Sequence, residues 1–301
     1  MSANCTPGSR PGSQPAPSAR VIADSISPTG HRLTTIEVTL HRFVLAELTT
    51  HRAFSRNSAS SRAIPVSRTM VTLAEHPAIP LRWASEQKGM QGGPDLPDGT
   101  AAKAELLWLS ARDDAVNTAH RLLDLGVHKS VVNRLLEPFM WTTVIVSATD
   151  WDGFWAQRCS PLAQPEIHAA ALAMQAAYDA STPRPVDWAG WHLPYIGDEL
   201  ADLGLETAKQ ISAARCARVS YLTHDGRRDP AADRTLYRRL ITADPPHASP
   251  LEHVATPSHG RPANFTGWAQ LRSLVLRCDH QAPGSAAIRA ALDSATDVPD
   301  A

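Results

Sequence analysis

Cysteine is scarce, with four in 301 residues, and Cys5, Cys159, Cys216 and Cys278 form no C-x-x-C pair. That spacing excludes a zinc ribbon and a disulfide scaffold, so reduced thiols are expected. An excess of one charge is also missing: 29 Lys and Arg against 30 Asp and Glu leave a net charge of −1. Balanced charge gives no general attraction to a nucleic acid polymer. No apolar run approaches the roughly 20 residues that a membrane span needs. Residues 1–20 are rich in Ser, Pro and Gly without the apolar stretch of a secretory signal, and read as a disordered tail of a cytoplasmic protein. His247, His253 and His259 recur at even spacing, but no H-E-x-x-H pair and no cysteine partner accompanies them. No metal site is expected there, and His253 and His259 read as hydrogen-bonded structural residues.

What is present is enough apolar content, 43%, for a full core. Residues 21–280 read as a single catalytic domain, with a linker near 181–200 that allows two fused lobes, and 281–301 as a flexible tail. Thr34 to Leu40 alternates, with Ile36, Val38 and Leu40 on one side, which predicts a half-buried strand. A short helix over His41 to His51 follows, and the run TTVIVSA after Trp141 predicts a second strand. Further helices are predicted over Ala101 to Gly126, Lys129 to Glu137, Gln164 to Ala180, Leu205 to Ala217, Pro230 to Ile241 and Phe265 to about Leu274. Pro183 to Trp191 breaks the pattern as a linker. The class is α+β, a central sheet flanked by helices.

The segment Thr50 to Arg62, THRAFSRNSASSR, gathers His51, Arg52, Arg56 and Arg62 with serines and an asparagine and has almost nothing apolar. It reads as a surface segment that leaves a packed helix end and holds anions. Guanidinium groups match phosphate oxygens bidentately, and hydroxyls complete sugar and base contacts, so a phosphorylated small molecule is the expected ligand. A solvated polar loop is the plain alternative.

The segment resembles the signature R-H-R-x-x-S-x-N-E-x-S-x-R of the flavin-dependent thymidylate synthases. Thr50-His51-Arg52, Ser55, Asn57, Ser58, Ser60 and Arg62 stand in its register. Thr50 replaces the first arginine and Ser58 the glutamate. Asn133-Arg134 through Pro138, Gln157-Arg158-Cys159 and Ala163-Gln164-Pro165-Glu166-Ile167 resemble a second region of that family, and Ser160, Pro161 and Leu162 stand where it carries a histidine. Ala217-Arg218-Val219-Ser220-Tyr221 and His247-Ala248-Ser249-Pro250-Leu251-Glu252-His253 resemble two further elements, which ordinary members place before the signature. Here they follow it, so the resemblance implies a permuted branch. That branch includes an enzyme that methylates UMP at C5 in polyoxin-type antibiotic biosynthesis.

The resemblance implies FAD as cofactor, methylenetetrahydrofolate and NADPH as co-substrates, and a homotetramer with shared active sites. It assigns Arg158, Arg52 and His51 to catalysis, and Glu47, Ser58, Ser60, Arg62, Arg134 and Arg158 to the nucleotide. His51, Arg52, Ser55, Asn57, Ser220, His247 and Ser249 fall to the flavin. The implied reaction is C5-methylation of a uridine 5′-monophosphate, UMP first and dUMP as a further substrate; a dUMP-specific synthase and a non-catalytic nucleotide or flavin binder are the alternatives. Absence of a G-x-G-x-x-G motif is no objection, because this family does not hold FAD on a Rossmann domain. Cys159 next to Arg158 invites a thiolate attack on C6 of uracil, the route of the classical synthases. The resemblance instead reads it as a packed thiol.

Overall fold

The computed structural model describes residues 17–221 and 229–277. In chain order the first half contains β1 (Ser18–Ile26), β2 (Arg32–His41), α1 (Leu45–Thr49), β3 (Ser55–Ser58), α2 (Val66–Glu75), α3 (Asp98–Asp124), α4 (Lys129–Leu136), β4 (Trp141–Ala148), α5 (Asp152–Arg158) and α6 (Pro165–Asp179). The second contains β5 (Arg184–Pro185), α7 (Leu200–Leu203), α8 (Leu205–Tyr221), α9 (Pro230–Thr242), β6 (Ala255–Pro257), β7 (Trp268–Gln270) and α10 (Leu271–Arg277).

The main sheet has the order β3-β4-β2-β1-β5. β2 pairs antiparallel with β1 on one side and β4 on the other, β3 closes one edge on β4, and β5 runs parallel to β1 at the far edge. Alternation gives the sheet two different faces. Ile36, Val38 and Leu40 join Val144, Val146 and Ala148 on one face, and α5 and α6 cover them with Phe154, Ile167, Ala170 and Met174. Each fully buried Ile, Val or Leu there contributes about 1.5–3 kcal/mol. Thr35, Glu37 and Ser147 share the other face with Ile145, which packs on Cys216 and Val219 of α8. A second core forms where α2, α3 and α4 meet around Leu73, Ala119, Val132 and Leu136. A third joins α8 and α9 through Ala213, Ala214, Tyr237 and Ile241 to Leu251 and Val254.

Several expectations need correction. The segment Thr50 to Arg62 is not wholly at the surface: Phe54, Ser55, Asn57, Ala59 and Ser61 are buried, because four of these residues make the edge strand β3 and its continuation. Small polar side chains can turn inward where partners await them. Pro183 to Trp191 does more than link, since β5 pairs with β1 and the Val186 amide donates to the Ile26 carbonyl at 2.9 Å. No helix starts at Phe265: Phe265 is buried, Gly267 takes φ 76°, β7 follows, and the helix begins only at Leu271. A Cβ on Gly267 would lie 2.5 Å from the His31 ring, so glycine is required there on two counts. β1 begins at Ser18, inside the stretch read as a tail. Cys5, Cys278 and residues 281–301 lie outside the described residues. The long helix ends as expected near Gly126, whose φ of 77° suits a glycine C-cap. Leu106 and Leu107, exposed by 68% and 71%, make its apolar face narrower than its sequence suggests.

Candidate active site

α1 is one turn and a half long, and the hydroxyls of Thr49 and Thr50 turn back to the Ala46 and Glu47 carbonyls at 2.8 and 2.7 Å. This closes the helix and sends His51 and Arg52 across the end of α5. There Arg158 binds the turn with two of its guanidinium nitrogens: Nη2 donates to the Glu47 carbonyl at 3.2 Å and to Thr50 Oγ1 at 3.1 Å, and Nε donates to His51 Nε2 at 3.1 Å. A donor on Nε2 makes that nitrogen an acceptor and leaves the imidazole proton on Nδ1. Burial lowers the His51 pKa, and the charges of Arg158 and Arg56 lower it further, so the ring is neutral at pH 7. Phe154 meets it edge to face at 4.9 Å and Phe54 lies 5.6 Å away.

A cavity of about 340 Å³ opens at this corner, lined among others by Thr50, His51, Arg52, Phe54, Phe154 and Gln157. Arg52 is exposed and makes no ion pair among the described residues. Glu47 Oε2 is buried and has no hydrogen-bond donor. Aromatic edges, the Arg52 cation, a neutral imidazole and the Asp150 carboxylate within one cleft suit a polar molecule with a flat ring system.

At the other end of β3 stands a second polar group. Glu137 Oε1 accepts from Ser61 Oγ at 2.5 Å, Arg134 Nη1 at 2.9 Å and Arg42 Nη2 at 3.1 Å. Burial pushes the Glu137 pKa up, but these donors outweigh it and hold the carboxyl below its ordinary range. Asn133 fixes the turn by donating to the Ser61 and Ile64 carbonyls at 2.7 and 2.9 Å. Arg62 is exposed beside this group. Within one chain, therefore, Arg62 and Arg134 do not join Arg158; β3 lies between them.

The C-terminal elements reach the same strand. The turn Ser249–Glu252 packs against β3, and Glu252 partly offsets the burial that lowers the Arg56 pKa. Ser55 Oγ accepts from Gln270 Nε2 at 2.8 Å and Asn264 Nδ2 at 3.2 Å. Asn57 is buried, and its Nδ2 donor has no partner. Ser58 and Ser60 are half-buried, while His247 and Ser249 are exposed at the turn. The Ser220 side chain lies outside the described residues.

Cys159 packs beside the α5–α6 core, and burial followed by the nearby Asp179 pushes its thiol pKa up. Arg158 turns away from it toward His51, which removes the activation inferred from their adjacency. His253 is fully buried and bonded through Nδ1 to Ser147 Oγ at 2.8 Å, and the His259 ring lies tilted against Trp188 at 4.7 Å. Sequence reasoning gave no role to Arg42, Glu137, Phe154 and Gln157. Gln157 stood in a family-like motif and Glu137 three positions from Arg134 on a predicted helix, while Arg42 and Phe154 carried no signal.

A family model described as thymidylate synthase complementing protein matches residues 21–184, more than half of the chain. Among solved structures, a UMP/dUMP methylase PolB from Streptomyces cacaoi bound with 5-Br UMP aligns at 16% identity over 54% of this chain and 88% of that one, with a TM-score of 0.45. The same methylase bound with 5-Br dUMP aligns at 15% identity over 54% and 89%, with a TM-score of 0.41. No curated protein matches the chain. On the strength of the family match, the chain belongs to the thymidylate synthase complementing proteins, the flavin-dependent thymidylate synthase family.

Proposed function

We propose that this protein methylates C5 of a uridine 5′-monophosphate reductively, with methylenetetrahydrofolate as one-carbon donor, NADPH as reductant and FAD as cofactor. The observation that carries this reading is the corner where Arg158 clasps Thr50 and His51 over an aromatic-lined cleft. Bound FAD supplies hydride chemistry that no side chain can perform. The residues present fit it: among the described residues Arg52 is a cation without an ion pair, and Asn57 Nδ2 is a buried donor without an acceptor. With His51, Ser55, Ser220, His247 and Ser249, these groups are assigned to the flavin.

Arg158 is assigned to the uracil, where a guanidinium stabilises negative charge that develops on the ring carbonyls. Arg62 and Arg134 are assigned to the phosphate, and Ser58, Ser60 and Glu47 to the rest of the nucleotide. The bare Glu47 Oε2 is an acceptor waiting for a ligand donor. Thr50 takes the place of a signature arginine, and Arg158 reaches its hydroxyl, so the positive charge at this corner is retained from another element. That favours an enzyme over a non-catalytic binder.

Two half-sites at opposite ends of β3 call for completion by a second copy, which supports the homotetramer with shared sites. The order of the motifs, with the Ser220 and Ser249 elements after the signature, is read as a permuted arrangement. The test is direct. Purified protein is expected to be yellow and to convert UMP with methylenetetrahydrofolate and NADPH. Colourless protein that fails to bind added FAD defeats the reading, and turnover of dUMP alone replaces it with a dUMP-specific synthase.

A further inference from the structure

Arg56 stands between Ser55 and Asn57, at a position that the family signature leaves open. Its partner across the ladder is Val146 and that of Ser58 is Val144, so both residues belong to the face that α5 and α6 cover. The His51 corner lies on that face too, with the imidazole against Phe54 and Phe154. Arg56 Nη1 donates to the His51 carbonyl at 2.7 Å, and Arg158 holds the ring of the same residue. Two guanidinium groups therefore flank His51.

The rest of the Arg56 guanidinium is open. Among the described residues Nε and Nη2 have no hydrogen-bond partner, and neither is shut off from solvent, in contrast to Arg42 Nε. The side chain is half-buried and makes no ion pair among the described residues. Burial lowers its pKa; Glu252 acts against this, but Arg272 engages the Glu252 carboxylate. Other arginines differ. Arg20 bonds Glu37 and its pKa rises, while for Arg32 and Arg215 burial is outweighed by bonds to Asp24, Glu199 and Asp233. A desolvated cation without its own counter-ion is costly and is satisfied by an anion. The planar edge of Nε and Nη2 matches two oxygens of one such anion.

We infer that Arg56 is a phosphoryl-binding residue: Nη1 fixes it to the His51 turn, and the edge of Nε and Nη2 grips two oxygens of one phosphoryl group. Two molecules bring that group to this corner, the nucleotide with its 5′-phosphate and FAD with its pyrophosphate, and naming either one rests on the function proposed above. Full-length wild-type and R56Q proteins are titrated calorimetrically with inorganic pyrophosphate, with UMP and uridine, and, freed of flavin, with FAD and riboflavin. R56Q is expected to weaken pyrophosphate about tenfold, and UMP or FAD as much, while the phosphate-free counterpart keeps its affinity. Loss with UMP but not uridine names the nucleotide; loss with FAD but not riboflavin names the cofactor. Equal loss with a phosphate-bearing ligand and its counterpart leaves Arg56 only the task of holding His51 and overturns the inference, as does unchanged affinity throughout. Pyrophosphate bound through Arg56 by a protein that takes neither UMP nor FAD keeps the phosphoryl site and defeats the proposed function instead. R56K keeps the charge and a donor for the His51 carbonyl but loses the planar edge, and is expected to weaken the same phosphate ligands about fivefold. It remains decisive if R56Q fails to fold, and wild-type affinity in R56K overturns the inference.

Discussion

Arg158 holds its corner through two acceptors of the α1 turn and one imidazole nitrogen, so the residue positions both itself and His51. Truncation to alanine removes a charge-assisted partner worth about 1.5–3 kcal/mol. Nucleotide affinity of the R158A protein is expected to fall tenfold or more, measured by calorimetry, and unchanged affinity places the nucleotide elsewhere. Ser58 belongs to the same scale. A serine is shorter than the signature glutamate by about two heavy-atom positions and can donate as well as accept, which leaves room for a ribose 2′-hydroxyl. S58E is expected to lower the UMP to dUMP ratio of kcat/KM, and an unaltered ratio removes Ser58 from sugar selection. Cys159, with its thiol pKa raised, is expected to be dispensable: C159S keeps turnover, whereas its loss in a folded, FAD-bound variant points to covalent attack on C6.

The edge strand β3 is the element on which the motifs meet. Its residues are poor strand formers by composition, and no adjacent strand covers its outer side. What holds it is the ladder to β4 and the amides of Gln270 and Asn264 donating to the buried Ser55 hydroxyl. Gln270 also donates to the Glu252 carbonyl at 3.1 Å, so one side chain staples β3 to the turn that carries Ser249. Q270A leaves a buried hydroxyl and a carbonyl short of a donor, an expected cost of about 1–3 kcal/mol in denaturant unfolding. A variant of wild-type stability shows that the ladder alone holds the strand. The alternation of Thr34 to Leu40 made the central strands legible, but β3 gave no such signal, because its inward residues Ser55 and Asn57 are polar.

Across the whole molecule, a buried polar chain ties the C-terminal elements to the sheet. Ser25 Oγ meets His192 Nδ1 at 2.9 Å, His192 Nε2 meets Thr35 Oγ1 at 2.8 Å, Thr35 meets Ser147 at 2.6 Å, and Ser147 meets His253 Nδ1 at 2.8 Å. Burial lowers both histidine pKa values from 6.5 to about 3. The unfolded chain then binds more protons between these limits, so the stability these rings contribute is full above about pH 6.5 and falls as the pH drops toward 3. The expected slope is about 1.4 kcal/mol per pH unit for each ring. H192Q and H253Q are each expected to flatten the acid branch of the stability profile; parallel profiles mean that other groups drive it. The separation of Arg62 from Arg158 gives a test of assembly. Inactive R62A and R158A chains, unfolded together and refolded in equal amounts, are expected to regain about a quarter of wild-type activity if each site draws on two subunits. No recovery restores a site made within one chain.

By itself the sequence determined the α+β class, the strands and helices with strong periodicity, and the family, because alternation, helical spacing and a spaced set of polar residues are local properties of a chain. It also marked most candidate residues one by one. Only the tertiary structure decided which of them meet. Arg158 reaches His51 from 107 positions away, and Gln270 reaches Ser55 from 215 positions away, so no local window of sequence contains either pair. The division of the arginines between the two ends of β3, and the burial of a strand made of serines and an asparagine, follow from packing on both faces of the sheet. Polar residues carry no periodic apolar signal, and their burial depends on partners that distant segments supply.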